Sequence, residues 1–374
     1  MPSKPQQLFA LGQSLWYDNI ERRLLENGAL EAMIQRGDIY GVTSNPSIFQ
    51  NAIVNSTDYD QQLGQLAAAG QDANQIFEEM SVQDIQAACD LFAQLYEDTQ
   101  GGDGYVSIEV HPDLANDTQA TLQQAQHLWT RVDRPNLMVK IPGTPEGLPA
   151  IRQAIAAGIN INITLIFSIQ RYAEVIDAYL SGLEDRLEAG AAIDGIASVA
   201  SFFISRIDSK VDAWLDEIVG QGGDRGEAAK GLKGKVAVAN AKLAYQLFEE
   251  EFGAPRFTAL KERGASLQRP LWASTSTKNP AYPDTLYVDE LIGPHTVNTV
   301  PPKTLEAFKD HGEARLTVAE DVEGARQVLA DLKSLDLSLD QATQEPELEG
   351  VAAFSHSIHS RLESIEARRS KLIA

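Results

Sequence analysis

Cysteine is almost absent, with Cys89 alone in 374 residues. A single thiol cannot close an intramolecular disulfide, so nothing points to an oxidising compartment. Long apolar runs are missing too. None approaches the ~20 residues that would span a bilayer. Positive charge is scarce: 31 Lys and Arg face 53 Asp and Glu, for a net charge of -22 and a pI near 4.6. Such a balance argues against nucleic-acid phosphate and anionic membrane surfaces as partners. It leaves room for a small phosphorylated ligand held by a few local cations. The segment from Met1 to Gln13 has neither an apolar core nor a cleavage-site pattern, so no secretory signal is expected. Asn55-Ser-Thr57 and Asn116-Asp-Thr118 fit the glycosylation pattern, but without secretion they read as chance matches. A cytoplasmic protein is the default expectation.

What is present is a soluble, core-forming composition: 43% hydrophobic residues and a mean hydropathy of -0.22. The run Leu137-Met-Val-Lys-Ile141 lies between Pro135 and Pro142-Gly143. It reads as a strand buried on both faces, as in a parallel sheet. Lys140 interrupts it. Taken alone, Lys140 reads as a strand-end lysine whose stem packs and whose ammonium reaches water. The alternative is an amine withdrawn from water, which can attack a carbonyl and form a Schiff base.

Around this strand the chain alternates short strands with helical stripes. Strand candidates are Ser14–Asp18, Gly41–Thr43, Tyr105–Val110, the lysine strand, Gly158–Phe167, Gly195–Ser201, Pro270–Ser274 and Thr296–Val300. Asn19 to Gln35 reads as a helix weakened at Asn27-Gly28, and Ser168 as the cap of the helix after Phe167. Gly220–Gly226 reads as a solvent loop. No dinucleotide-type glycine fingerprint follows the first strand. The pattern predicts an α/β (β/α)8 TIM barrel with additional helices, especially C-terminal. Residues 1–374 form one barrel domain on this reading, with 303–374 as a C-terminal helical extension packed on it. His356 and His359 read as surface histidines, and no metal site is expected.

Barrel chemistry collects at the C-terminal ends of strands. Those ends carry Asp18, Thr43 to Asn45, Glu109, Lys140, Asn162 with Thr164, Ser201, Ser274 and Asn298. Each is unremarkable singly. Together, an amine, two carboxylates and several hydroxyls and amides suit imine chemistry on a polyhydroxylated ketone.

Trp16-Tyr-Asp18, Gly41-Val-Thr-Ser-Asn-Pro-Ser47, Ser107-Ile-Glu109, Met138-Val-Lys-Ile-Pro142 and Gly158-Ile-Asn-Ile-Asn-Ile-Thr164 closely resemble the transaldolase family. The resemblance runs from about Leu8 to Lys309, and Asp284 to Gly293 resembles its longer bacterial branch. It implies a cofactor-free enzyme that moves a dihydroxyacetone unit from a ketose phosphate to an aldose phosphate. It implies Lys140 as the Schiff-base lysine, Asp18 as the acid–base on the C4 hydroxyl, and Glu109 with Thr164 as holders of a catalytic water. Thr43, Asn45, Asn162 and Ser201 would contact the substrate, and Arg206 its phosphate. Where the better-known branch has a second phosphate arginine, two residues beyond Ser274, this chain has Ser276; Lys278 is the nearest cation. The neighbouring fructose-6-phosphate aldolases favour Gln at the position of Glu109 and Tyr at the position of Phe203. Two alternatives stay open: such an aldolase, and a non-catalytic sugar-phosphate-binding barrel. Either a monomer or a homodimer fits.

Overall fold

The computed structural model describes residues 2–54 and 56–373, so Asn55 of the first glycosylation pattern lies outside the described residues. Eight parallel strands close into a barrel in sequence order. They are β1 (Gln13–Tyr17), β2 (Gly41–Val42), β3 (Val106–Glu109), β4 (Leu137–Pro142), β5 (Ile161–Ile166), β6 (Ser198–Phe203), β7 (Gln268–Ala273) and β8 (Thr296–Val300). Helices follow the strands and cover the outside, which is why β4, β5 and β6 are buried along their whole length. β8 pairs with β1 from Gln13↔Thr296 to Tyr17↔Val300, so no strand edge is left open there.

Small side chains set the tight points. Gly41 pairs with Trp16, and a Cβ at Gly41 would stand 2.7 Å from the indole ring. The floor of the barrel is tied by Asp103. It accepts from Trp16 Nε1 at 2.7 Å and from Ser14 Oγ, and pairs with Arg269 at 3.3 Å. The 280s segment is tethered by two tyrosines: Tyr282 donates to Asp212 at 2.6 Å and Tyr287 to Asp208 at 2.8 Å.

Local expectations hold with instructive shifts. The stretch after β1 is two helices, Arg22–Glu26 and Ala29–Gln35, broken where Gly28 takes a φ of 78°. Ser168 caps helix Ile169–Glu188 by accepting from Arg171 N at 3.0 Å. The expected loop at Gly220–Gly226 is corrected. One helix runs to Gln221 and the next, Gly223–Leu232, starts at once. Only Gly222 and Gly223 take positive φ, which is enough to turn the chain without a loop. No helix among the described residues is long and apolar enough to cross a membrane.

After the helix that follows β8 (Pro302–His311), the chain ends in one long helix, Leu339–Ile373. It lies over the loops at the C-terminal ends of the strands. Ser355 donates to Asp113 at 2.5 Å, and exposed His359 pairs with the same carboxylate at 3.2 Å. Arg368 donates to the Ile53 carbonyl at 2.5 Å, and Lys210 pairs with Glu345 at 2.5 Å and Glu349 at 2.9 Å.

Gly41→Ala forces a methyl into the Trp16 ring and is expected to cost about 1–3 kcal/mol. A lowered urea midpoint with an unchanged slope checks this; an unshifted midpoint refutes the close-packing argument.

Candidate active site

β4 carries Lys140 inward, with its side chain only 7% exposed, and the register sets Glu109 of β3 directly beside it. Lys140 Nζ stands 3.4 Å from Glu109 Oε2 and donates to the Ser44 carbonyl at 3.3 Å. The Glu109 side chain is 3% exposed. Two charges this dry are costly to bury and would not persist apart. Moving one proton across the contact yields a neutral amine and a carboxylic acid, the pair that carbonyl condensation needs.

Asp18 follows β1 directly, and its N–H is held by the Val300 carbonyl at 2.9 Å. Its carboxylate accepts from the Thr43 hydroxyl at 2.7 Å, and that hydroxyl lies 2.5 Å from the hydroxyl of Thr299. Burial pushes the Asp18 carboxyl above its ordinary value of 3.8, while Lys140, the Thr43 bond and Lys278 pull it back.

Asp18 and Lys140 open into one cavity of about 210 Å³ with Thr43, Asn45, Ser201, Phe203, Arg206, Ser274 and Lys278. These are residues expected from the sequence. Ser274 has a φ of 56°, a strained conformation for a side chain of this kind, and its hydroxyl lies 2.9 Å from that of Ser205. Lys278 is exposed and donates to Ser276 Oγ at 2.6 Å. The Arg206 guanidinium sits 5.3 Å from the centre of the Phe203 ring. Burial lowers the Arg206 pKa, and Glu349 of the C-terminal helix acts against that.

Three expected residues stand outside the cavity wall. Glu109 lies behind Lys140. Asn162 is fully buried, donating to Ser107 Oγ at 3.0 Å and accepting from Ser201 Oγ at 2.7 Å. It braces the strands beneath Lys140, its register neighbour. Thr164 is fully buried, and its hydroxyl has no hydrogen-bond partner among the described residues. A register shift follows at once, with Leu165 at a φ of 61°. Asn45 lines the cavity while its side-chain oxygen caps the next helix, accepting from Ser47 N and Ile48 N at 3.0 Å each.

Known proteins resemble this chain in sequence. A model of the transaldolase/fructose-6-phosphate aldolase family matches residues 15–365. A protein named transaldolase from Trichodesmium erythraeum is 47% identical over 366 residues, 97% of this chain and 96% of its own. Another from Mycolicibacterium smegmatis is 48% identical over 362 residues, 96% of each chain. One named transaldolase 1 from Streptomyces coelicolor is 49% identical over 350 residues, 93% of this chain and 90% of its own. The chain belongs to the transaldolase/fructose-6-phosphate aldolase family. Its fold is the expected (β/α)8 barrel.

For this member of the family, sequence reading missed Thr299, and it took Ser44 and Ser107 only as members of longer stretches, with no role of their own. Thr299 lines the cavity, whereas Asn298, the strand-end residue picked in its place, donates to the Tyr287 carbonyl at 3.2 Å. The two-residue period of β8 decides which of the neighbours faces the site. Ser44 acts through its carbonyl, which side-chain chemistry cannot signal. The C-terminal helices were expected to pack on the barrel, but the approach of the last one to Arg206 was not read. Its Gly350 sits so close that a Cβ would stand 2.8 Å from Leu165 Cδ2 and 3.1 Å from Arg206 Nη1.

A raised carboxyl pKa favours the unfolded state once the pH passes 3.8, because the unfolded chain ionises first. Asp18→Asn is therefore expected to raise Tm at neutral pH while abolishing turnover. The Tm gain should shrink as the pH falls toward and below 3.8. A Tm difference independent of pH would refute the assignment.

Proposed function

We propose that this protein is a transaldolase that works through an imine on Lys140. It cleaves a ketose phosphate such as sedoheptulose 7-phosphate or fructose 6-phosphate. It keeps the dihydroxyacetone unit and passes it to glyceraldehyde 3-phosphate or erythrose 4-phosphate. The observation that carries this reading is the 3.4 Å contact between Lys140 and Glu109, with Asp18 in the same cavity as the lysine. We place the enzyme in the cytoplasm.

The steps follow from the arrangement. Lys140 adds to the ketose carbonyl, and Glu109 supplies the proton on which its oxygen leaves. Thr164, whose buried hydroxyl has no hydrogen-bond partner among the described residues, is read with Glu109 as a contact of the water during the step itself. The iminium then withdraws electrons from the neighbouring carbon. Asp18 takes the proton of the C4 hydroxyl, the C3–C4 bond breaks, and the aldose phosphate departs. The carbanion remains as an enamine on Lys140 until an acceptor aldehyde arrives and Asp18 returns the proton. Raising the Asp18 pKa by burial makes it a better base for this task.

Retention of the enamine separates transfer from plain aldol cleavage. Phe203 lines the cavity and cannot give the enamine a proton. Its ring is pinned by Phe167, centroid to centroid 5.1 Å. That favours transfer over release of free dihydroxyacetone. For the phosphate we assign Arg206 and Lys278, on the walls built by β6 and β7, with the Ser274 and Ser276 hydroxyls between them. Lys278 then stands in for the second arginine as a point charge. We read residues 303–374 as a helical extension of a single barrel domain, supported by the ties of the last helix to the strand-end loops.

Borohydride reduction with fructose 6-phosphate is expected to leave a three-carbon adduct on Lys140, located by peptide mass, and none on Lys140→Ala. No adduct on the folded protein overturns the imine mechanism. Phe203→Tyr is expected to raise free dihydroxyacetone at the expense of transfer; unchanged partitioning refutes the role of Phe203. Arg206→Ala and Lys278→Ala should each raise KM for the ketose phosphate, Arg206→Ala by about tenfold or more, since a charge-assisted bond contributes about 1.5–3 kcal/mol. Equal KM values in both variants and the parent would remove the phosphate assignment.

A further inference from the structure

Glu109 stands between two cavities. Lys140 lines the substrate cavity, whereas Glu109 lines a second one of about 350 Å³. Asn45 lines both. Ser44, whose carbonyl accepts from Lys140 Nζ, lines the second. The two spaces therefore share Asn45 as a wall and lie on either side of the lysine–carboxylate contact.

The second cavity has apolar walls at Phe49, Phe77 and Leu128, and polar groups at Glu109, Ser81 and Asn45. Ser81 is the informative one. It belongs to helix Ala73–Asp98, is 2% exposed, and its hydroxyl has no hydrogen-bond partner among the described residues. A buried hydroxyl lining an open space is satisfied by water, and a bound water needs two or more polar partners. Ser81, Asn45 and Glu109 supply them. The cavity has room for several waters.

We propose that this second cavity is the water chamber of the imine reaction. It receives the water expelled when Lys140 condenses with a ketose and returns it when the imine is hydrolysed, through Glu109, while substrate fills the front cavity. The inference rests on the reading of Lys140 as the Schiff-base lysine. In the step, the Lys140 nitrogen bonds to C2 and the C2–O bond breaks. The departing oxygen carries one proton from the amine and one from the carboxylic acid of Glu109. Iminium, water and carboxylate result, so atoms and charge balance. Hydrolysis runs the same path backwards. The phosphorylated substrate enters from the Arg206 side, so a water leaving by that route would have to pass it. The rear route has no such obstacle.

The test uses the full-length enzyme and fructose 6-phosphate labelled with ¹⁸O at C2, without acceptor. Enzyme-dependent loss of label to water is followed by mass spectrometry. Ser81→Leu and Phe77→Trp fill the chamber from different sides and are expected to slow label loss by about tenfold, a modest share of what acid–base assistance supplies. Ser81→Ala keeps the space and should stay within about threefold of the parent, as one lost water contact predicts. Carbon–carbon bond formation from the preformed adduct to an aldose phosphate, read in a single turnover, should be unchanged in all three. That step neither makes nor consumes water. Label loss at the parent rate in both filled variants overturns the proposal, as does slowing of label loss and bond formation by the same factor. A parent enzyme that gives no borohydride adduct instead removes the imine reading itself, before any variant is compared.

Discussion

The constraint on which the rest depends is the burial of an amine and a carboxylate against each other, Lys140 beside Glu109. A closed barrel is a good device for this. Parallel pairing of β3 and β4 in register brings the two residues side by side. Burying the pair costs desolvation that only tight mutual contact and nearby polar groups offset. The Ser44 carbonyl on one side of the lysine contributes to that offset. What remains is an amine and a carboxylate held 3.4 Å apart in a nearly dry site, the contact on which the proposed imine chemistry rests.

A second carboxylate, Asp18, sits in the same cavity under a different regime. It is partly open and hydrogen-bonded to Thr43, whose hydroxyl in turn meets Thr299. Burial works against its charge, and Lys140 and Lys278 work for it. The two carboxylates thus sit in different surroundings, Glu109 against the lysine and Asp18 on the wall of the cavity that the lysine lines.

The far end of the site is built by a segment remote in sequence. The C-terminal helix approaches the β5 bend and Arg206 through Gly350, where a Cβ would stand 2.8 Å from Leu165 Cδ2 and 3.1 Å from Arg206 Nη1. Acidic residues of that helix pair with Lys210 and, at 3.7 Å, with Arg171. The helix lies along the surroundings of the cation assigned to phosphate. This gives part of the acidic C-terminal region a structural place.

Residue order alone determined the barrel, because buried parallel strands need apolar runs and the intervening helices need 3.6-residue stripes; both are periodic and local. It also brought Lys140, Asp18 and Glu109 together as a set, since the barrel pattern puts the ends of their strands at one face and the family resemblance picks out the three. Four features were not legible. Thr299 rather than Asn298 faces the cavity because strand rotation, set by pairing with β1 and β7, chooses between adjacent residues. Asn162 braces the strands through Ser107 and Ser201, contacts that exist only after β3, β5 and β6 meet. The cavity behind Glu109 and the seat of Gly350 are each built by segments distant in sequence. Local pattern encodes which way a side chain points along its own element. Only the packed fold decides what it meets, because the partner is set by the geometry of a different part of the chain.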